Sequence, residues 1–395
     1  MQLNVQGHIQ KHYIHSIQSE KILVIMAILL NSKSSNRRAT KAYQSDDHQG
    51  EIIDAFLAKE KSDANSMRNV EDFVYYVRSQ KQAVASLNLF STTRTGNAQI
   101  SKYYFAIHSM IKASCLLPAK YVYSISIEIF ISACVKQSLI KEGADGKRYA
   151  VLGKFKDLDD VQSLDTFVQF VNAIYEICRS PKFRNKLVNA WKLQEYRRES
   201  FTKYVDDLFY VHSRIIVLRV DLYYNNATKD LVDGSDALDD LDRLVANMRH
   251  NSIFDDLLGS IFRVEYGVDR GVHIHSVFFF NGSIRNGLYH VHYAKLIGEY
   301  WKQHITQGKG DYWNVNAKID EFKAKGICGI GLICASDELM INNLIGLVVH
   351  YVCKERQTIR LKDSPARKMI RKSRAPETFA VKRGRPRLAQ TNSLC

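Results

Sequence analysis

RVEYGVDRGVHIHSVFFFNGS, residues 263–283, sets two β-rich runs on either side of a glycine-bracketed turn. Ile261–Tyr266 and Val272–Phe280 read as strands, and Gly267–Gly271, GVDRG, carries the glycines that suit a hairpin. Successive side chains on a strand alternate between faces, so His273 and His275 project together while Ile274 faces the other way. A hairpin centred on Val268–Arg270 also brings Glu265 beside the two imidazoles. A slip of one residue would turn Glu265 to the opposite face.

Outward from this hairpin the chain mixes strands and helices. Tyr204–Val211 ends a helix, and Ile215–Tyr224, IIVLRVDLYY, is expected as a largely buried strand. Ser235 and Asp236 are the expected cap of a helix over Ala237–His250, whose Leu238, Leu241, Leu244, Val245 and Met248 form one apolar stripe. A helix follows at about 287–305, then turn-rich sequence through Gly310. Ile327–Ile333 suits a further strand, and Ser336 is the expected cap of a last helix over Asp337–Lys354. Residues 66–195 carry apolar positions at helical spacing with few turn signals, and are expected to be mainly helical. The fold class is therefore α+β: a C-terminal domain over 196–361 with a central antiparallel sheet flanked by helices, preceded by a helical region. Residues 1–65 form an N-terminal extension and 362–395 a basic tail.

Composition sets the outer limits. The chain has 395 residues, 46% hydrophobic and 25% charged, which suits an ordinary globular protein of two or three domains. Ile22–Leu30, ILVIMAILL, is too short to span a bilayer and reads as a buried or interfacial helix. Seven scattered cysteines with no CxxC pair point to reduced thiols, and with no membrane segment the expected compartment is the cytoplasm. Net charge is +15, and the segment from Lys354 onward holds thirteen Lys or Arg against three Asp or Glu. Such a segment suits a polyanion, because neutralising phosphates releases condensed counterions.

His273 and His275 can share one cation, and Glu265 can complete a two-histidine, one-carboxylate set with open positions. H-x-H alone is a weak motif, and two satisfied strand histidines fit it equally well. His290 and His292 repeat the spacing in LYHVHYAKL, but on a helix positions i and i+2 diverge and cannot chelate one ion. In a basic protein such a set suits metal-assisted attack on a phosphodiester. Tyr351-Val352-Cys353-Lys354 offers a side-chain nucleophile, since helical spacing puts Tyr351 and Lys354 on one face. Tyr293, Tyr300 and Tyr312 are competing nucleophiles.

The order of these parts resembles the HUH endonucleases, the rolling-circle replication initiators and relaxases. Residues from about 196 to 361 look most like the inovirus-type replication proteins and their prophage relatives, the YagK/YfjJ C-terminal domain family. The blocks that carry the resemblance are YVDDLFYVHSRIIVLRVDLYY (204–224), the hairpin segment at 263–283, IGEYW (297–301), YWNVNAK (312–318) and GIGLI (329–333), followed by YVCK. It implies that His273, His275 and Glu265 hold Mg²⁺ or Mn²⁺. It further implies that Tyr351 attacks single-stranded DNA to form a 5′-phosphotyrosyl enzyme, and that Lys354 stabilises the developing negative charge. Two other readings stand beside it: a cleavage-deficient DNA-binding regulator on the same fold, and a metal hydrolase using activated water.

Lys382–Leu388, KRGRPRL, follows the AT-hook pattern, in which Arg383, Arg385 and Arg387 would lie in the narrow minor groove of A·T-rich DNA. A plain solvated basic tail fits the same residues. Residues 1–195 show no chemical constellation, and the roles open to them are origin binding, contact with a host helicase or polymerase, or oligomerisation.

Overall fold

The computed structural model describes residues 62–83, 102–155, 161–349, 360–363 and 367–376. Tyr351, Lys354, Arg383, Arg385, Arg387 and the expected helix at Ile22–Leu30 lie outside the described residues. The chain divides into two compact units. Among the described residues, the first takes in 62–83, 102–119, 125–155 and 161–187, and the second 120–124, 188–349, 360–363 and 367–376.

In the first unit, helices α1 (Ser62–Ser79), α2 (Ile107–Cys115), α3 (Ile125–Lys136) and α4 (Val161–Arg179) surround an aromatic centre. Phe73 of α1 stacks on Phe167 and Phe170 of α4, and Phe130 of α3 meets Phe170 edge-on. A small antiparallel pair, β1 (Ile140–Glu142) and β2 (Arg148–Ala150), interrupts the helices.

Helix α5 (Pro181–Val211) runs without a break through residue 196, where the sequence pattern had placed a boundary. Its C-terminal half belongs to the second unit and leads into β3 (Arg214–Tyr224). There follow α6 (Gly234–Asn247), β4 (Leu257–Gly267), β5 (Gly271–Asn281), α7 (His290–Tyr300), β6 (Gly310–Asn314), α8 (Ile319–Ala324), β7 (Gly331–Cys334), α9 (Glu338–Asn343) and β8 (Ile370–Lys372). One six-stranded antiparallel sheet has the order β8-β4-β5-β3-β6, with β7 pairing the N-terminal part of β3. The expected α+β class, with a central antiparallel sheet flanked by helices, is what the structure has.

Several elements differ from the sequence reading in detail. The cap of α6 is Asp233, not Ser235 or Asp236: its carboxylate accepts from the Ser235 and Asp236 backbone amides, while Asp236 reaches back to the Asp233 amide. This is a capping box shifted toward the N-terminus, and Asp233→Ala should cost about 1 kcal/mol in urea unfolding. Strand β6 forms in sequence that follows a turn-rich stretch, because β3 is long enough to recruit both β6 and β7 along one edge. The last helix begins at Glu338 on an Asp337 cap, not on Ser336, because the Asp337 carboxylate accepts from the Met340 amide, and it passes into a π-helical turn, Leu344–Val349. The segment after residue 362 is not wholly a tail. Ile370–Lys372 pairs with β4, Arg367 ion-pairs with Asp239 and Asp242, Arg371 pairs with Asp242, and Lys372 donates to Ser200 Oγ at 2.8 Å. Cys334 is disulfide-bonded, so uniformly reduced thiols do not hold for it; Cys115, Cys134, Cys178 and Cys328 are free. Among the described residues no helix is long and apolar enough to cross a membrane.

The sheet is covered on both faces. On one, Phe254 meets Phe278 and Tyr300, Tyr224 meets Trp301, and the α6 stripe of Leu238, Leu241 and Leu244 is buried. On the other, Ile215, Val217, Ile261, Val277 and Phe279 pack with Phe201, Tyr204 and Leu208 of α5, Phe322 of α8 and Leu344 beyond α9. Only half of this second face is apolar. Beyond Val277 the same alternation places charged residues on it, and there the site lies.

Candidate metal centre

The hairpin of β4 and β5 closes over Val268, Asp269 and Arg270, with Gly267 opposite Gly271. Gly271 sits at φ +66, the left-handed residue that completes a three-residue hairpin loop. A side chain there would also press on the Lys229 carbonyl oxygen, 3.1 Å from the position its Cβ would take. This register puts Glu265 directly opposite His273 and Arg263 opposite His275. On the other side of β5, Asp221 stands opposite His275 and Tyr223 opposite His273. Directly opposed residues share a face, so three strands present two rows of polar side chains to one side of the sheet.

Glu265, His273 and His275 are all buried, His273 being the most open at 7% exposure. One ligand atom from each lies within 4.8 Å of the other two. His275 Nε2 is 3.2 Å and His273 Nε2 3.5 Å from the same Glu265 Oε2. The opposite ring nitrogens are held from outside. His275 Nδ1 lies 2.9 Å from Asp221 Oδ1, and His273 Nδ1 lies 3.2 Å from the Gly271 carbonyl oxygen. A carbonyl only accepts, so the proton of a neutral His273 ring sits on Nδ1 and the Nε2 lone pair points at Glu265. Two imidazole Nε2 atoms and a carboxylate oxygen thus converge, and a cation among them would take the place of the proton on His275 Nε2. Adjacent ligands of an octahedral ion at about 2.1 Å stand about 3.0 Å apart, near the separations of the two Nε2 atoms from Glu265 Oε2. Outer carboxylate and carbonyl partners on the far imidazole nitrogens are what metal-binding histidines ordinarily have. The residues therefore fit a divalent cation.

Without a cation, the cluster is an ion-pair network. Burial opposes charge on His275, but Asp221 and Glu265 outweigh it and raise its pKa to about 9. Burial likewise works against the Asp221 and Glu265 charges. His275 and Arg219 overcome it for Asp221, and Arg263 and His275 for Glu265, so both carboxyls titrate well below the usual range.

Asp221, Arg219 and Arg263 are members that the H-x-H reading passed over. Their signal lies in the alternation of Ile215–Tyr224, where Ile216, Leu218, Val220 and Leu222 make one face apolar and leave Arg219 and Asp221 together on the other. R-x-D, R-x-E and H-x-H are three i, i+2 pairs on neighbouring strands of one face.

The competing tyrosines are not brought to this cluster. Tyr312 pairs in register with Leu222 and therefore faces away from Asp221; its hydroxyl donates to Glu299 at 2.9 Å. Tyr300 accepts from Asn247 and packs on Phe254, and Tyr293 lies under Arg285 on the same helix, α7, against the opposite face of the sheet. His290 and His292 are also on α7, His290 near Asn316 and His292 near Tyr293. Comparison with protein-family models, with characterised proteins and with solved structures returned no match.

Proposed function

We propose that this chain is a metal-dependent single-strand DNA nickase and strand transferase with Tyr351 as nucleophile. It would serve to initiate rolling-circle replication of a phage, prophage or mobile element in the bacterial cytoplasm. The observation that carries this reading is the convergence of His273 Nε2, His275 Nε2 and Glu265 Oε2 on one sheet face. Helix α9 and the turn after it pack on the apolar half of that same face, through Ile341, Leu344 and Ile345. Tyr351 follows two residues after Val349 in the sequence.

His273, His275 and Glu265 would hold Mg²⁺ or Mn²⁺, and Asp221 and the Gly271 carbonyl would keep the imidazoles aimed inward. When bound, the ion supplies Lewis-acid polarisation of a scissile phosphodiester. Tyr351 Oη would form a bond to phosphorus as the bond to the 3′ oxygen breaks. The phenolic proton is lost, the 3′ oxygen leaves as a hydroxyl, and a 5′-phosphotyrosyl enzyme remains. Lys354, three residues on in the sequence, would offset the negative charge of the phenolate or of the reacting phosphate. Arg383, Arg385 and Arg387 would add affinity for A·T-rich duplex near the nick.

Incubation of the full chain with a labelled single-stranded oligonucleotide library and Mn²⁺ tests this. A denaturation-stable protein–DNA adduct is expected, and Tyr351→Phe should abolish it. Binding without cleavage under any divalent metal would instead identify a DNA-binding regulator, and cleavage surviving Tyr351→Phe a water-using hydrolase. Metal content provides an independent arm: His273→Ala combined with His275→Ala should remove bound Mn²⁺, and unchanged content would sink the ligand assignment.

A further inference from the structure

Five buried side chains on three strands form one line of alternating charge. Arg219 Nε lies 3.4 Å from Asp221 Oδ1, which lies 2.9 Å from His275 Nδ1. His275 Nε2 lies 3.2 Å from Glu265 Oε2, and Glu265 Oε1 lies 2.5 Å from Arg263 Nε. Asp221 is thereby shared between one guanidinium and one imidazole, and Glu265 between one guanidinium and the imidazoles of His275 and His273. Two consequences follow for a cation at this place. Arg263 holds Oε1, so Glu265 presents Oε2 alone and binds through a single oxygen. Guanidiniums also stay protonated at any working pH, so Arg219 and Arg263 cancel the charges of Asp221 and Glu265. Metal-ligating imidazoles are neutral.

Among the described residues, the cluster therefore brings no net negative charge to a divalent ion. Affinity for hard divalent ions rises with the carboxylate charge that a site leaves uncompensated. An ion here keeps its double positive charge in a buried setting, which is costly until an anion joins it.

We propose that Arg219 and Arg263 are positioning residues that leave a divalent cation at Glu265, His273 and His275 under-neutralised, so that the cation and a phosphodiester anion bind as a coupled pair. This rests on the metal-dependent reading above and adds to it the reason the ion and the DNA need one another. Coupling of this kind is reciprocal: the anion raises affinity for the ion by the same factor as the ion raises affinity for the anion.

The test uses the full chain with Tyr351→Phe, so that no strand is cut. Free Mn²⁺ is read by electron paramagnetic resonance with and without a single-stranded homothymidine oligonucleotide, after subtracting Mn²⁺ held by the oligonucleotide itself. The Mn²⁺ dissociation constant should fall at least about tenfold when the oligonucleotide is present, within the usual range for coupled ligands. Arg263→Gln should tighten Mn²⁺ binding in the absence of oligonucleotide and shrink the coupling, and Arg263→Lys should restore the parental pattern. Equal Mn²⁺ affinity in both conditions overturns the proposal, as does an Arg263→Gln protein that folds but binds Mn²⁺ no more tightly. Should Arg263→Gln fail to fold, the comparison with and without oligonucleotide decides alone. Absence of Mn²⁺ binding in both conditions overturns the metal reading and this inference together, whereas binding without coupling overturns only the inference.

Discussion

Glu265→Ala is expected to destabilise the folded chain by about 3–5 kcal/mol, the cost of removing one partner from a buried ion pair. The carboxylate bridges Arg263 Nε at 2.5 Å and His275 Nε2 at 3.2 Å, and all three residues are buried. Its loss takes a carboxylate away from a buried guanidinium and removes one of the two anions that hold charge on His275. Urea unfolding monitored by circular dichroism measures the effect, with Glu265→Gln as the informative comparison. Glutamine keeps an oxygen for Arg263 but not the charge, so its loss should fall between that of wild type and alanine. A loss under about 1 kcal/mol for alanine would mean that Arg263 is solvated in the folded state, against its burial. Both variants should also weaken Mn²⁺ binding, because both remove the carboxylate oxygen at which the two Nε2 atoms are aimed.

The second large effect is a stability that depends on pH and is reshaped by metal. His275 has its pKa raised to about 9 in the folded chain, against about 6.5 for an unperturbed histidine. A raised pKa contributes stability that is fully present below the unfolded value and is lost as pH rises through the folded one. Asp221 and Glu265 are depressed, so their contribution is present above about pH 4–5 and is lost as pH falls. In EDTA the chain should therefore be most stable between about pH 5 and 6.5, and should lose on the order of 3 kcal/mol by pH 9 through His275. Mn²⁺ held by His275 would take the place of its proton, so its stabilising effect should grow across that same interval. Thermal melts at pH 6, 7.5 and 9, in EDTA and in Mn²⁺, read both limbs. Stability in EDTA that stays level from pH 6 to 9 would show that His275 is neutral in the fold. His275→Gln should remove the alkaline slope whatever the metal.

How far the site was legible depended on the range over which its determinants act. The hairpin could be read because its determinants are local: Gly267 and Gly271 bracket a three-residue loop, and alternation on either side marks which residues share a face. The same local logic placed Glu265 beside His273, subject to a one-residue ambiguity that the Gly267–Gly271 pairing removes. Strand β3 was recognised from its β-branched run, yet Arg219 and Asp221 were passed over. Nothing near them in sequence says that β3 lies beside β5, because about fifty residues and helix α6 intervene. Strand β6 was missed for a related reason: its five residues have no alternation of their own and take strand geometry from the unpaired edge of β3.

Local patterning by itself determined the α+β class, the hairpin, the stripe of α6 and the common face of His273 and His275. Those follow from φ-restricted turn residues and from periods of two and of about 3.6 residues, which are properties of the chain over short distances. Tertiary structure alone decided that β3 and β5 are neighbours, that Asp221 backs His275, and that Tyr293, Tyr300 and Tyr312 stand across the sheet from the histidines. The physical reason is that strand pairing and burial are settled by which non-local contacts exclude water together. A charge such as Asp221 acquires its role only when that packing encloses it with an imidazole on one side and a guanidinium on the other.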